Sequence, residues 1–195
     1  MFKTPLPLIL ILATAVSASA ADAITAQISY AANLKSGDSY VNLTNAGSVD
    51  GTDPAGDICA NIYVFAEDQQ LISCCSCQLT PNHLQTLSVE NDLVANRLTP
   101  GMPIGITTLL LPTSGTTCDA TAPGPQANGL LAWSTTAHVM TGSTLAMTET
   151  RFLDTTLSTT ELTKITGLCQ WIETAGSGYG ICGPCRVGAA GASKQ

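Results

Sequence analysis

The chain has 195 residues, 14 of them Asp or Glu and only 7 Lys or Arg, for a formal net charge of −7. An acidic chain with no basic patch lacks the electrostatic footprint of a nucleic-acid binder and of a protein held on an anionic membrane surface. Only 11% of residues are charged and eight are cysteines, a composition suited to a secreted β protein stapled by disulfides.

Residues Met1–Ala20 read as a signal peptide, with Lys3 as the positive start, Leu6–Val16 as a short apolar core and Ala18-Ser19-Ala20 as the cleavage site. The apolar run is too short for a membrane span, and no other window is long and apolar enough. No span is therefore expected after signal removal. The mature chain, beginning near Ala21, keeps 6 basic and 14 acidic residues, a net charge of −8. Its expected location is secreted, periplasmic or cell-surface, and it is long enough for one domain with its own core, over 21–187.

Strands are expected at Ala26–Tyr30, Ser39–Thr44, the two arms of Ile58–Leu79, Leu84–Val89, Ile104–Leu111, Leu130–Met140 and Thr144–Leu153. Turn signals such as Asn45-Ala46-Gly47, Pro81-Asn82, Pro100-Gly101-Met102-Pro103 and Thr141-Gly142-Ser143 separate them. Roughly eight strands at such intervals predict a mainly β fold, a disulfide-stapled sandwich of immunoglobulin-like or jelly-roll-like type.

Ile58–Leu79, ICANIYVFAEDQQLISCCSCQL, holds four of the eight cysteines and reads as a hairpin around Glu67-Asp68-Gln69-Gln70. With the turn centred on Asp68, Phe65 faces Leu71 and Cys59 faces Cys77. Alternation then places Cys59, Cys75 and Cys77 on one face. Cys74 falls on the apolar face of Ile58, Ala60, Ile62 and Val64. A cross-strand bond from Cys59 into the cluster Cys74–Cys77 is expected, and Cys74 needs a partner from elsewhere.

One helix is expected at about 159–175. Ser158-Thr159-Thr160-Glu161 is a capping box, Leu162, Ile165, Cys169 and Ile172 recur at helical spacing, and Gly176 suits the C′ position. That stripe should lie on the sandwich. Cys169 then offers a partner to Cys182 or Cys185, leaving the other of the pair for the hairpin cluster or Cys118. Eight cysteines allow 105 pairings, so these are expectations about neighbours rather than a connectivity. Residues 188–195 read as a flexible tail.

The phrases ICANIYVFAEDQQLISCCSCQLTPN and TLSTTELTKITGLCQ…GSGYGICGPC resemble a group of exported bacterial cysteine-rich proteins with no assigned activity. The resemblance covers about half of the mature chain. It implies secretion and a shared disulfide scaffold, and it carries no catalytic residue across.

Cys182-Gly183-Pro184-Cys185 matches the thioredoxin dithiol motif, whose first cysteine is activated at a helix start. That fold places the motif early, however, and only ten residues follow Cys185 here. With CCSC, the motif could offer four thiolates to zinc, but Cys75-Ser76-Cys77 is spaced too tightly and exported cysteines oxidise. Asp50, Asp53 and Asp57 in one Gly- and Pro-containing loop are calcium candidates by ligand type, without EF-hand spacing. Gly37-Asp38-Ser39 suggests an esterase opening. Neither His83 nor His138 has an Asp three residues before it, and a nucleophile without a base is not a mechanism. Asn42-Leu43-Thr44 fits the glycosylation triplet, which matters only on a eukaryotic secretory path.

The leading reading is a secreted, non-catalytic structural or binding module of the cell surface or extracellular space, facing a protein or glycan surface and needing no cofactor. The alternatives are a thiol–disulfide oxidoreductase using CGPC and a calcium-stabilised adhesive domain. All eight cysteines, Cys59, Cys74, Cys75, Cys77, Cys118, Cys169, Cys182 and Cys185, are expected in four disulfides.

Overall fold

A computed structural model describes residues 23–47, 56–94, 101–142, 144–177 and 182–185. The signal segment, Asp50, Asp53 and the tail 188–195 lie outside the described residues. The elements are β1 (Ile24–Ala32), β2 (Tyr40–Asn45), β3 (Ile58–Ala66), β4 (Leu71–Leu79), β5 (Leu84–Ser88), β6 (Gly105–Ser114), β7 (Leu130–Val139), β8 (Leu145–Arg151), β9 (Leu153–Leu157) and α1 (Thr159–Ile172). Sheet 1 has the order β4-β3-β6-β1-β9 and sheet 2 the order β5-β2-β7-β8, with antiparallel neighbours throughout. The two sheets pack face to face as a sandwich.

The main core lies between them. Val41 and Leu43 of β2 point inward with Leu87, Leu130 and Ala132, against Ile58, Ala60, Ile62, Val64, Ile106 and Leu110 of sheet 1. Asn42 and Thr44 alternate to the other face, where Asn42 is nevertheless almost buried among its strand neighbours. Sheet 1 is covered on both sides. Its outer face carries Ala26, Tyr63, Cys74, Leu109 and Leu111, and α1 lies over them with Cys169 and Ile172 buried and Leu162 and Ile165 packed alongside. This explains why β3 is buried continuously from Ile58 to Val64 instead of alternating.

The hairpin corrects the register expected from the sequence. Gln69 N donates to Ala66 O at 3.0 Å, Ala66 N donates to Gln70 O at 3.0 Å, and Gln69 has a φ of 69°. That is a three-residue loop ending in a left-handed residue, and Phe65 does face Leu71. Ile72 is then the extra residue of a β-bulge, so Val64 faces Ser73, Tyr63 faces Cys74, Ala60 faces Cys77 and Cys59 faces Gln78. A one-residue slip turns every later side chain over. Cys75 and Cys77, not Cys74, therefore share the inter-sheet face with Ile58 and Ile62, while Cys74 joins Tyr63 on the outer face. The polar residues of β4 account for this. Without the bulge, Ser76 and Gln78 would point into the apolar core. With it, Ser76 Oγ donates to Asn61 Oδ1 at 2.6 Å and Gln78 Nε2 donates to Asp57 Oδ2 at 2.8 Å.

The expected strand Thr144–Leu153 is two strands. Phe152 is buried in the inter-sheet core and its N–H donates to Ala132 O at 3.0 Å. The chain changes sheets there, β8 pairing with β7 and β9, which includes Leu153, pairing with β1. This raises the strand number to nine among the described residues.

The capping box forms as expected. Glu161 N donates to Ser158 Oγ at 3.2 Å and Ser158 N donates to Glu161 Oε2 at 2.9 Å. Those bonds from the Ser158 backbone and side chain hold the Glu161 carboxyl below the usual carboxylate range. The α-helix ends at Ile172 and continues as a wider turn, Glu173–Ser177. Gly176 thus lies within that turn instead of at C′. A second wide turn, Val89–Val94, has no periodic signature in the sequence and is held by side chains. Ser88 N donates to Asp92 Oδ2 at 2.7 Å, and Glu90 N to Asp38 Oδ1 at 2.9 Å.

Candidate functional site

The chemistry of this chain is concentrated on β4, the edge strand of sheet 1. Its three cysteines bond in two directions because neighbouring residues of a strand face opposite sides. Cys74 on the outer face bonds Cys169 of α1. Cys75 and Cys77 on the inner face bond Cys182 and Cys185. The helix and the C-terminal turn Gly183–Cys185 therefore clasp β4 from opposite faces. The fourth bond joins Cys59 to Cys118 in the long connection after β6. No cysteine is free.

The four-bond expectation agrees with this, but two expected neighbourhoods do not. Cys59 does not bond within Cys74–Cys77, because the bulge places Gln78 opposite it and Cys75 and Cys77 on the other face. Cys169 bonds neither Cys182 nor Cys185. It lies over the outer face of sheet 1, while Cys182 and Cys185 are in the inter-sheet core. Cys182 and Cys185 also do not bond each other, although Cys185 N donates to Cys182 O at 2.8 Å and closes the turn between them. The Sγ atoms of Cys77, Cys182 and Cys185 all lie within 4.8 Å of one another.

The other candidates are dispersed. Asp57 is nearly buried and accepts from Gln78 Nε2; its two loop companions lie outside the described residues. Asp38 accepts from Ser88 Oγ at 2.6 Å and from Glu90 N, so its carboxylate secures the Val89–Val94 turn. Ser39 is fully buried, and its Oγ finds no hydrogen-bond partner among the described residues. Tyr40 pairs with Ser88 and Thr44 with Leu84, which puts His83 at the far end of β2 from Ser39. His138 Nε2 lies 2.8 Å from Thr148 Oγ1 on the β7–β8 ribbon. None of these supplies a base to a nucleophile. Asn42 lies in a strand with its amide engaged, donating to Thr135 Oγ1 at 3.0 Å and accepting from Thr86 Oγ1 at 2.8 Å. Those three side chains share the outer face of sheet 2 with the half-buried Tyr40 and Trp133.

One electrostatic feature escapes sequence reading. Tyr63 is fully buried under α1 and its hydroxyl donates to Ala120 O at 2.7 Å. Burial, then Asp119 and Glu173, push its ionisation well above the ordinary value. Glu173 Oε1 lies 3.9 Å from Cys169 Sγ, and burial followed by the Asp119 charge pushes the Glu173 carboxyl upward. The native state thus favours protonated Glu173. Its contribution to stability is full below the ordinary value of 4.5 and is lost as pH rises through the raised one. Glu173→Gln is therefore expected to raise the melting temperature at pH 7 and leave it unchanged near pH 4. The gain should be under about 1 kcal/mol because the carboxyl is partly solvated. Thermal melts of both proteins at the two pH values check this, and an equal shift at both would exclude the electrostatic cause.

The fold and its bonds define a class, a β-sandwich cross-linked by four disulfides with a helix bonded to its edge strand. No family model matches the chain, and no curated protein matches it. Among solved structures, "Crystal Structure of Thermotoga maritima 1070" has a TM-score of 0.41 at 10% identity, over 68% of this chain and 95% of that one. Among the described residues, no helix is long and apolar enough to cross a membrane.

Proposed function

We propose that this chain is exported through its N-terminal signal, residues Met1–Ala20, and acts as a non-catalytic structural or binding module at the cell surface or in the extracellular space. The observation that carries this reading is the use of every cysteine in a cross-link, with the two sulfurs of CGPC bonded separately to β4. Four disulfides suit an oxidising compartment, in keeping with the resemblance to exported bacterial cysteine-rich proteins. The partner is a protein or glycan surface, with no part for nucleic acid given the acidic charge. The outer face of sheet 2, with Tyr40 and Trp133 among hydrogen-bonding Asn and Thr side chains, supports contact with such a surface.

An oxidoreductase would need Cys182 and Cys185 to cycle between dithiol and their mutual disulfide. The purified mature protein is expected to show no free thiol on alkylation in the native state and no turnover in insulin reduction. Insulin turnover that Cys182→Ser abolishes would move the chain to the oxidoreductase class.

A further inference from the structure

We propose that the sulfurs of Cys75–Cys182 and Cys77–Cys185 form an exchange cluster, in which one equivalent of an external dithiol frees both C-terminal cysteines from β4. The product is a Cys182–Cys185 disulfide in the C-terminal turn and a Cys75/Cys77 dithiol on the strand.

Three observations carry it. The Sγ atoms of Cys77, Cys182 and Cys185 already lie within 4.8 Å of one another, although Cys182 is bonded to Cys75. The hydrogen bond from Cys185 N to Cys182 O closes a four-residue turn, which holds the two Cα atoms less than about 7 Å apart and so in or near the range of a disulfide. Cys75 and Cys77, by contrast, are two apart on one extended strand. Their parallel side chains start about 6.6 Å apart, whereas the Cβ atoms of a disulfide lie about 3.5–4.5 Å apart. The turn can close its own bond and the strand cannot.

The dithiol attacks Cys77–Cys185, the bond that includes Cys185, the most exposed of the four at 8% against 0% for the others. It leaves as its own cyclic disulfide, having delivered two electrons and two protons, and Cys77 and Cys185 become thiols. The Cys185 thiolate then attacks the sulfur of Cys182. The Cys182–Cys185 bond forms, the Cys75–Cys182 bond breaks, and Cys75 departs as a thiolate that takes up the proton Cys185 lost. No second reductant is consumed. Exchange of this kind needs only a thiolate and access to the neighbouring sulfur. The Cys74–Cys169 bond is on the opposite face of β4 and takes no part. The process is stoichiometric and requires no catalytic turnover.

The test uses the oxidised mature protein, one equivalent of dithiothreitol without oxygen, trapping with N-ethylmaleimide, and peptide mapping of Cys75, Cys77, Cys182 and Cys185. The expected two-label product in this group carries label on Cys75 and Cys77, with Cys182 and Cys185 linked to each other. Label on Cys77 and Cys185, on any other pair of the four, or on none of them at excess dithiol overturns the proposal. A second variant gives an independent reading. Cys77→Ala/Cys185→Ala keeps the Cys75–Cys182 bond and removes the attacking thiol. In the parent, once dithiol has reduced Cys77–Cys185, the internal thiol opens Cys75–Cys182 at millimolar effective concentration, so this second step should run at least about tenfold faster than micromolar dithiol opens the same bond in the variant. A second step in the parent no faster than direct opening in the variant would also overturn it.

Discussion

Replacing Cys59 and Cys118 together by alanine is expected to lower stability by about 4 kcal/mol, more than removal of any single bond from β4. The reason is topological. Cys59–Cys118 closes a loop of 59 residues that no other disulfide closes. The three β4 bonds span 95, 107 and 108 residues and begin within four positions of one another, so each restrains nearly the same loop as its neighbours. With Cys77–Cys185 in place, loss of Cys75–Cys182 releases only a few residues of chain, and its removal should cost about 2 kcal/mol on the same entropy scale. Urea unfolding of the two double variants and the parent, all oxidised, measures both values. The reverse order would show that bond strain or side-chain packing, and not chain entropy, sets these contributions.

Asn61→Ala should cost about 2–4 kcal/mol, because it strands several buried groups at once. Asn61 is fully buried on the outer face of β3. Its Nδ2 donates to Leu111 O and to Thr113 Oγ1, each at 3.0 Å, and its Oδ1 accepts from Ser76 Oγ at 2.6 Å. One amide thus ties β3 to both neighbouring strands. Adding Ser76→Ala to the variant removes the stranded hydroxyl and should recover part of the loss, since deleting both partners is gentler than deleting one. Urea unfolding of the single and double variants measures this. A double variant less stable than Asn61→Ala would assign the loss to packing.

The architecture was legible where local chemistry and burial agree. β2 alternates apolar Val41 and Leu43 with polar Tyr40, Asn42 and Thr44, and α1 announces itself through Ser158, Glu161 and the stripe ending at Ile172. The site was legible only in its parts. Eight cysteines told of cross-linking, but their pairing depended on Ile72, a single extra residue that turns β4 over. The bulge does leave a trace in the sequence. Ser76 and Gln78 alternate with Cys75, Cys77 and Leu79, and burying the second set requires the shifted register. Phe152 hid the change of sheet for a different reason, since β8 and β9 run on as one extended segment and only the tertiary packing of that side chain divides them. The neighbourhood of Asp119, Glu173 and Tyr63 joins positions more than fifty residues apart and has no local signature.

The spacing of the β4 bonds also sets a schedule for the growing polypeptide. Cys74, Cys75 and Cys77 are made about a hundred residues before their partners, an interval of about 5–20 seconds at usual synthesis rates. Cys59 is already present, only fifteen residues from Cys74, and its own partner Cys118 is still to come. During that interval the shortest available loops are the wrong ones. Early oxidation would link Cys59 to its neighbours in the hairpin or join the β4 thiols to another chain. The native pattern can be completed only once the last cysteine, Cys185, has arrived, and any bond closed wrongly before then has to be reshuffled, on the scale of seconds to hours.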